Sequence, residues 1–337
     1  FGWTMVAVPY MAWGAELSAD YTERTRITAW REGIGLVGLV GAGALSSFTA
    51  QLGWSERESI GAIAVLAIAL GVLVFPLLLT LVPEKACAGP GQITRRWSLA
   101  EIGRALSKNP PFARLLSAWF LNGLANGIPA ALFFIYLEHA LGADDQQRPL
   151  FVLIYFASAI LAIPAWQLAT LKLGKHRAWC WAMILACAAF VTVPFIGAGQ
   201  FVAFAMVCVA TGAALGADLA LPPSMQADVV DYGALRTGEA HTGLLFATWG
   251  MSTKLALAAA VGLALPGIEA LGFDPRTSGE GGKQALVVIY ALVPTVIKIL
   301  VIALLWRFPL TAAKHGVIQR ALERKTAKSN ADRKAVL

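Results

Sequence analysis

Charge is scarce in this chain. Only 14% of its 337 residues are Asp, Glu, Lys or Arg, against roughly 25% in soluble domains. That shortage excludes an ordinary water-soluble fold. The rest of the composition agrees: 58% of the residues are hydrophobic and the mean hydropathy is +0.66. Cysteine is sparse too. Cys87, Cys180, Cys187 and Cys208 have no metal-ligand spacing, so no metal site is expected. Three of them fall inside apolar runs, where they read as small packing residues. Cys87 falls in a loop assigned below to the cytoplasm, where a disulfide is not expected. Histidine is limited to His139, His176, His241 and His315, each near the end of an apolar run. No HExxH and no Gly-x-Ser-x-Gly occurs, which removes the usual signatures of a membrane-embedded hydrolase. A channel would need a filter-like repeat, and none is present.

Long uncharged runs are abundant. Gly33 to Trp54, Ile60 to Val82, Leu115 to Leu137 and Pro149 to Leu171 contain no charge. Each is long enough to cross a bilayer core, which takes about 20 residues. Ala178 to Ala217 is also uncharged and is cut into two spans at Gly197-Ala198-Gly199-Gln200. Ala240 to Ile268 and Gln284 to Trp306 are each interrupted by one lysine, Lys254 and Lys298. Phe1 to Ala15 is apolar but short, and the chain is expected to begin part-way along a membrane helix. The reading is an all-α integral membrane protein with nine spans, near 1–15, 30–53, 59–82, 112–138, 149–171, 177–196, 200–224, 240–265 and 284–307.

The net charge of +7 does not point to nucleic acid, because its distribution is one-sided. With loops assigned to alternate sides, one side carries 21 Lys and Arg and the other carries four, Arg57, Arg148, Arg276 and Lys283. This is the positive-inside pattern, and it puts the C-terminus in the cytoplasm. The expected location is the inner (plasma) membrane of a bacterium, as a multi-pass protein that works as a monomer. The basic tail 308–337 reads as a solvated segment beside anionic lipid.

Two segments repeat each other. Asp20-Tyr21-Thr22-Glu23-Arg24-Thr25 follows one apolar span, and Asp231-Tyr232-Gly233-Ala234-Leu235-Arg236-Thr237 follows another, 211 residues on. Each is read as a charged loop. In a membrane chain such a repeat suggests two parallel halves related by duplication. The hydrophilic stretch 83–111 lies between them. Its Ser98-Leu99-Ala100-Glu101 is a capping-box pattern, and Leu99, Ile102 and Leu106 follow at helical spacing. A short amphipathic helix over 98–108 is expected there, ended by Asn109-Pro110-Pro111.

These residues carry a resemblance. Pro9-Tyr10 with Ala15-Glu16-Leu17, Asp20 to Arg26 and Arg31 resemble the segment joining helices four and five of the glycoside–pentoside–hexuronide:cation symporters, the melibiose-carrier-like branch of the major facilitator superfamily. Ala227 to Tyr232, Arg236-Thr237-Gly238 and Lys254 resemble that family's helix ten to eleven segment. The resemblance implies twelve helices in two six-helix halves, with helices four to twelve represented here. Residues 1–82 would be the remainder of the N-terminal bundle, 83–111 the cytoplasmic loop between halves, and 112–307 the C-terminal bundle.

The resemblance implies a secondary active transporter that moves a sugar or glycoside by alternating access, coupled to Na+ or H+, with no other cofactor. The alternative is a facilitator-type carrier of a non-sugar amphiphile without sodium coupling. Arg31 and Lys254 match family positions near substrate. Arg31 offers a planar fork for hydroxyls or a uronate. Lys254 sits mid-span, where a lysine costs roughly 2.5–3.5 kcal/mol unless it faces a cavity or partner. Asn122, Asn126 and Trp249 are further substrate-binding candidates, by amide hydrogen bonding and ring stacking. Asp218 is the cation-coupling candidate, and it is expected to pair with Lys254. Lys298 is put down to structural pairing or snorkelling. Glu16, Asp20, Glu23, Arg24, Arg26, Asp228, Asp231 and Arg236 suit salt bridges between halves that break when one face opens. Where similar carriers place Trp after the Pro-aromatic pair, this chain has Met11, which weakens a galactoside as substrate.

Overall fold

A computed structural model describes residues 2–82, 103, 107–237, 242–275 and 279–336, and the regular structure among them is entirely helical. The helices are α1 (Gly2–Glu16), α2 (Tyr21–Gln51), α3 (Glu56–Leu81), α4 (Pro110–His139), α5 (Arg148–Leu173), α6 (Lys175–Thr192), α7 (Phe201–Thr237), α8 (Thr242–Ala270), α9 (Glu280–Val287), α10 (Val293–Leu305) and α11 (Ala312–Val336). A π-helical turn over Val288–Leu292 joins α9 to α10. It leads directly into Pro294, which has no N–H to give and so favours a shifted ladder. Among the described residues, eight helical stretches are long and apolar enough to cross a membrane. The helix expected over 98–108 lies mostly outside the described residues, as does Cys87.

Local chemistry sets the helix ends. Ser55 and Glu58 form a reciprocal capping box at the start of α3. Asn109 caps α4, accepting from Phe112 N at 3.2 Å, with Pro110 and Pro111 in the first turn. Gly174, at φ 78°, separates α5 from α6 in one residue.

The two copies of the repeated motif are helical rather than looped. Tyr21 to Arg31 lies inside α2, and Asp228 to Thr237 lies inside α7. These helices have 31 and 37 residues, more than the roughly 20 a bilayer core needs. Their charged ends therefore continue past the apolar layer, where polar partners keep them helical.

The chain divides into two compact units. One comprises Phe1–Ala29 with Arg96–Leu337, and the other comprises Trp30–Arg95. Within the second, α2 and α3 are tied by a hydroxyl pair, Thr49 Oγ1 to Ser59 Oγ at 2.6 Å. Within the first, α5 packs on α7, α4 on α8, and α6 on α7. The closest approaches use Gly-x-x-x-Gly pairs. A Cβ on Gly212 of α7 would lie 2.2 Å from the Tyr155 carbonyl oxygen, and one on Gly216 would lie 2.6 Å from that of Ala159. Gly123 and Gly127 meet Ala256 and Ala260 of α8 in the same way. Such small-residue contacts let helix backbones approach without a hydrophobic drive from water. The outward faces stay apolar: Leu161, Phe195 and Val202 are each more than three-quarters exposed.

Candidate functional site

Among the described residues of the larger unit, two buried polar clusters occur. The first lies midway along the bundle. Asp218 of α7 is 4% exposed. It accepts from Trp179 Nε1 at 2.5 Å and Asn126 Nδ2 at 2.8 Å, and Lys298 Nζ lies 3.6 Å away. Lys298 also donates to Asn122 Oδ1 at 2.9 Å. The second amide atom of Asn122, Nδ2, is buried without a partner. A cavity of about 270 Å³ opens on this cluster and is lined by Asn126, Asp218 and Lys298. Elsewhere its wall is mostly apolar: Pro129, Phe133, Phe134, Phe156, Phe190, Val207 and Leu215. Phe133 stands seven residues beyond Asn126 on α4, about 10 Å along the axis. The charge therefore sits at one end of the cavity and the aromatic surface at the other.

The ammonium partner of Asp218 is Lys298, where the sequence reading expects Lys254. Lys254 is exposed on α8. The reason is helical phase. Ser252, Ala256, Ala260 and Ala264 form the buried stripe of α8, and Lys254 is two residues off it, about 200° around the axis. Lys298 shares the buried face of α10 with Thr295, Val301 and Leu305. Asn122 and Asn126 do join this cluster. Trp249 does not line the cavity; it is buried and stacks on Trp119 with ring centroids 4.6 Å apart. Arg31 lies in the smaller unit and pairs with its neighbour Glu32 at 2.9 Å. Trp179 carries no advance signal in the sequence.

The second cluster lies at the end of the bundle that carries the repeated motif. Arg24 Nη1 bonds Asp231 and lies 3.3 Å from Asp228 Oδ1. Asp228 also accepts from Lys175 Nζ at 2.6 Å. His315 Nε2 sits 3.1 Å from Asp231 Oδ2, and Gln319 Nε2 donates to the same oxygen at 2.6 Å. The Lys175 ammonium lies 3.7 Å above the Tyr21 ring, a cation–π contact, while Lys175 N–H donates to the Tyr21 hydroxyl at 3.0 Å. Arg24 Nε donates to the Ser18 carbonyl at 2.7 Å, and Thr25 meets Ser224 at 3.0 Å.

Of the eight residues expected to form salt bridges between halves, this network takes three: Arg24, Asp228 and Asp231. The other five serve locally or face outward. Asp20 Oδ1 caps α2, accepting from Thr22 N and Glu23 N. Glu23 pairs with Arg26 at 3.9 Å on the exposed surface. Arg236 donates to Tyr232 of its own helix at 3.2 Å, and Glu16 is exposed. Tyr21, Lys175, His315 and Gln319 are additions that sequence reasoning missed. Lys175 stands in the basic turn Gly174-Lys175-His176-Arg177. His315 and Gln319 are four apart, and so on one helix face, in a tail read as solvated.

A charged pair buried in a bundle of membrane-length helices, with a second ionic network tying two helix ends, suits a transporter. Comparison with known proteins agrees. A family model described as MFS/sugar transport protein matches residues 1–312. The chain belongs to this family. It is therefore a multi-pass membrane chain of the MFS type. Similar curated proteins include the sodium-dependent lysophosphatidylcholine symporter 1-A of Danio rerio, 26% identical over 196 residues, covering 57% of this chain and 36% of that protein. The sphingosine-1-phosphate transporter MFSD2B of Xenopus tropicalis is 25% identical over 221 residues, covering 63% and 42%. This MFS chain thus spans about two-fifths of the length of those relatives. Its fold is similar to that of a bacterial homologue of the iron transporter ferroportin in the outward-facing state, with TM-score 0.59 and 15% identity, over 86% of this chain and 67% of that one.

Proposed function

We propose that this MFS protein carries a single-chain amphiphile with a phosphate-bearing headgroup by alternating access. The observation that carries the reading is the two-ended cavity. Asp218 and Lys298 set opposite charges side by side at one end, which matches a zwitterionic headgroup in sign. Phe133, Phe134, Phe156 and Phe190 offer apolar surface along the rest. At about 270 Å³ the space is just below the roughly 300–1,000 Å³ of drug-sized sites, so it suits a headgroup with part of a chain. A sugar would need several convergent donors and acceptors. Asp218 already accepts from Trp179 and Asn126, Lys298 already donates to Asn122, and the lining adds only the hydroxyls of Tyr155, Thr211 and Tyr290, of which Thr211 donates to the Val207 carbonyl. The printed names of the curated relatives, lysophosphatidylcholine and sphingosine-1-phosphate carriers, support the same class.

A sugar or glycoside is the second reading, favoured by the family description and by the resemblance around Asp20 and Asp231. In either case the Arg24–Asp228–Asp231 network is the closure at one end, and the basic end faces the cytoplasm of a bacterium. Cation coupling belongs to the proposal as well, with sodium named by the relative's description. The test is uptake into proteoliposomes of the full-length protein. Labelled lysophosphatidylcholine and a labelled disaccharide are compared, with and without an inward sodium gradient. Saturable lysolipid uptake with counterflow is expected. Saturable disaccharide uptake that lysolipid does not inhibit would overturn the amphiphile reading.

A further inference from the structure

A second, larger cavity lies at the end of the bundle near the closure network, with a volume of about 760 Å³. It sits between the α5–α6 turn and the segment joining α10 to α11. Four cationic side chains line it: Lys172, Arg177, Arg307 and Lys314. The described residues that line it include no carboxylate. His176 also lines it. That side chain is 6% exposed, and its Nδ1 is buried without a hydrogen-bond partner.

Two helix N-termini adjoin the same space, contributed by Lys175–Thr192 and Ala312–Val336. The first has no side-chain cap. Each brings a partial positive charge to the cavity. A positive-inside excess of charge does not by itself gather four cations around one cavity whose described lining includes no carboxylate, so that rule alone does not account for the arrangement.

Depth identifies the ligand's surroundings. Trp306, at the end of the last membrane-length helix, is exposed and lines the cavity. Tryptophan at such a position marks the headgroup layer. Phe308 and Leu173 give the cavity apolar wall as well. We infer that this cavity binds a phosphate-bearing anion, of the class of an anionic phospholipid headgroup. Tyr21, which holds Lys175 in the closure network, also lines it, and so does the start of the helix that carries His315 and Gln319. A headgroup seated there bridges both and favours the closed arrangement. This site is separate from the transport cavity and does not depend on which substrate is carried.

The test uses the full chain, purified in neutral detergent and followed by intrinsic tryptophan fluorescence. It is titrated with dioctanoyl phosphatidylglycerol, with dioctanoyl phosphatidylcholine, and with inorganic phosphate. Saturable binding of phosphatidylglycerol, tighter than that of phosphatidylcholine, is expected. Arg177→Gln with Lys314→Gln should weaken it roughly 30-fold, at the per-residue value for basic groups beside an anionic surface. Lys108→Gln with Arg320→Gln removes the same charge outside the cavity and should leave affinity within about two-fold. If inorganic phosphate also binds and is lost in the first variant, a free phosphate suffices as ligand. If only the lipid binds, the headgroup in its leaflet is the ligand. Equal weakening by both double variants, or no saturable binding, overturns the site.

Discussion

Removing both members of the Asp218–Lys298 pair should cost far less than the sum of removing each. Asp218 is 4% exposed and Lys298 is 1% exposed, so neither can recover water when its partner goes. Breaking a buried pair from one side typically costs about 3–5 kcal/mol, because it strands the remaining charge. Asp218→Leu leaves the Lys298 ammonium with Asn122 Oδ1, and it also orphans the donors of Trp179 and Asn126. Lys298→Met leaves a carboxylate that keeps two neutral donors, so its loss should lie at the lower end of that range. Replacing a buried pair by apolar residues of similar volume is often close to neutral. The double variant should therefore lose well under the sum of the two single losses, its remaining cost being about 1–3 kcal/mol for each group left unmet, the Trp179 and Asn126 donors and Asn122 Oδ1. Reversible unfolding of the detergent-solubilised protein, arranged as a double-mutant cycle, reads the coupling directly. Additive losses, with the double variant as unstable as the sum, would refute the reasoning. Transport adds a second readout. A folded double variant that still carries substrate at the normal rate would show that the pair is structural and not part of the substrate path.

Two further outcomes follow from the packing and the closure network. Gly212→Ala puts a methyl group 2.2 Å from the Tyr155 carbonyl oxygen, and since backbone has to move, unfolding should register a loss of about 1–3 kcal/mol; Gly243→Ala, with open space around it, should be neutral. Arg24→Gln leaves Asp228 and Asp231 facing each other without the guanidinium between them, so maleimide labelling of a cysteine placed at Ser224, which is fully buried, should speed up at least about ten-fold, the effect of a 1.4 kcal/mol shift toward opening; unchanged labelling would mean that Arg24 does not hold this end shut.

The membrane spans were legible because the bilayer imposes a simple rule: about 20 residues without charge. Gly197 to Gln200 could be read as a turn because glycine marks the break, and Gly199 does adopt φ 80°. The Arg24, Asp228 and Asp231 cluster was legible through the repeated motif, whose two copies meet in this network. The identity of the buried lysine was not. Lys254 and Lys298 each stand alone in an apolar span, and hydropathy gives both the same weight. Only the phase of each residue against the small-residue stripe of its helix separates them, and Ala256-Ala260-Ala264 supplied that phase in retrospect. The helical character of the two charged motifs was missed for another reason. Span prediction stops where charge begins, whereas a helix stops where its hydrogen-bond partners end. His315 and Gln319 were hidden by the composition of the tail around them, which reads as solvated because most of its charge is.

Placing His315 and Gln319 on α11 has a consequence for how the protein is made. Asp231 and Arg24 are synthesised long before the residues that complete their network. Each described membrane-length helix precedes His315 and can enter the bilayer while that end of the bundle still lacks two of its partners. These two side chains thus fasten a network whose other members are already in place, and they report that translation has passed residue 319. Shortening the chain ahead of His315, or burdening this helix with a bulky fusion, would leave the insertion signal intact and the fastener undone.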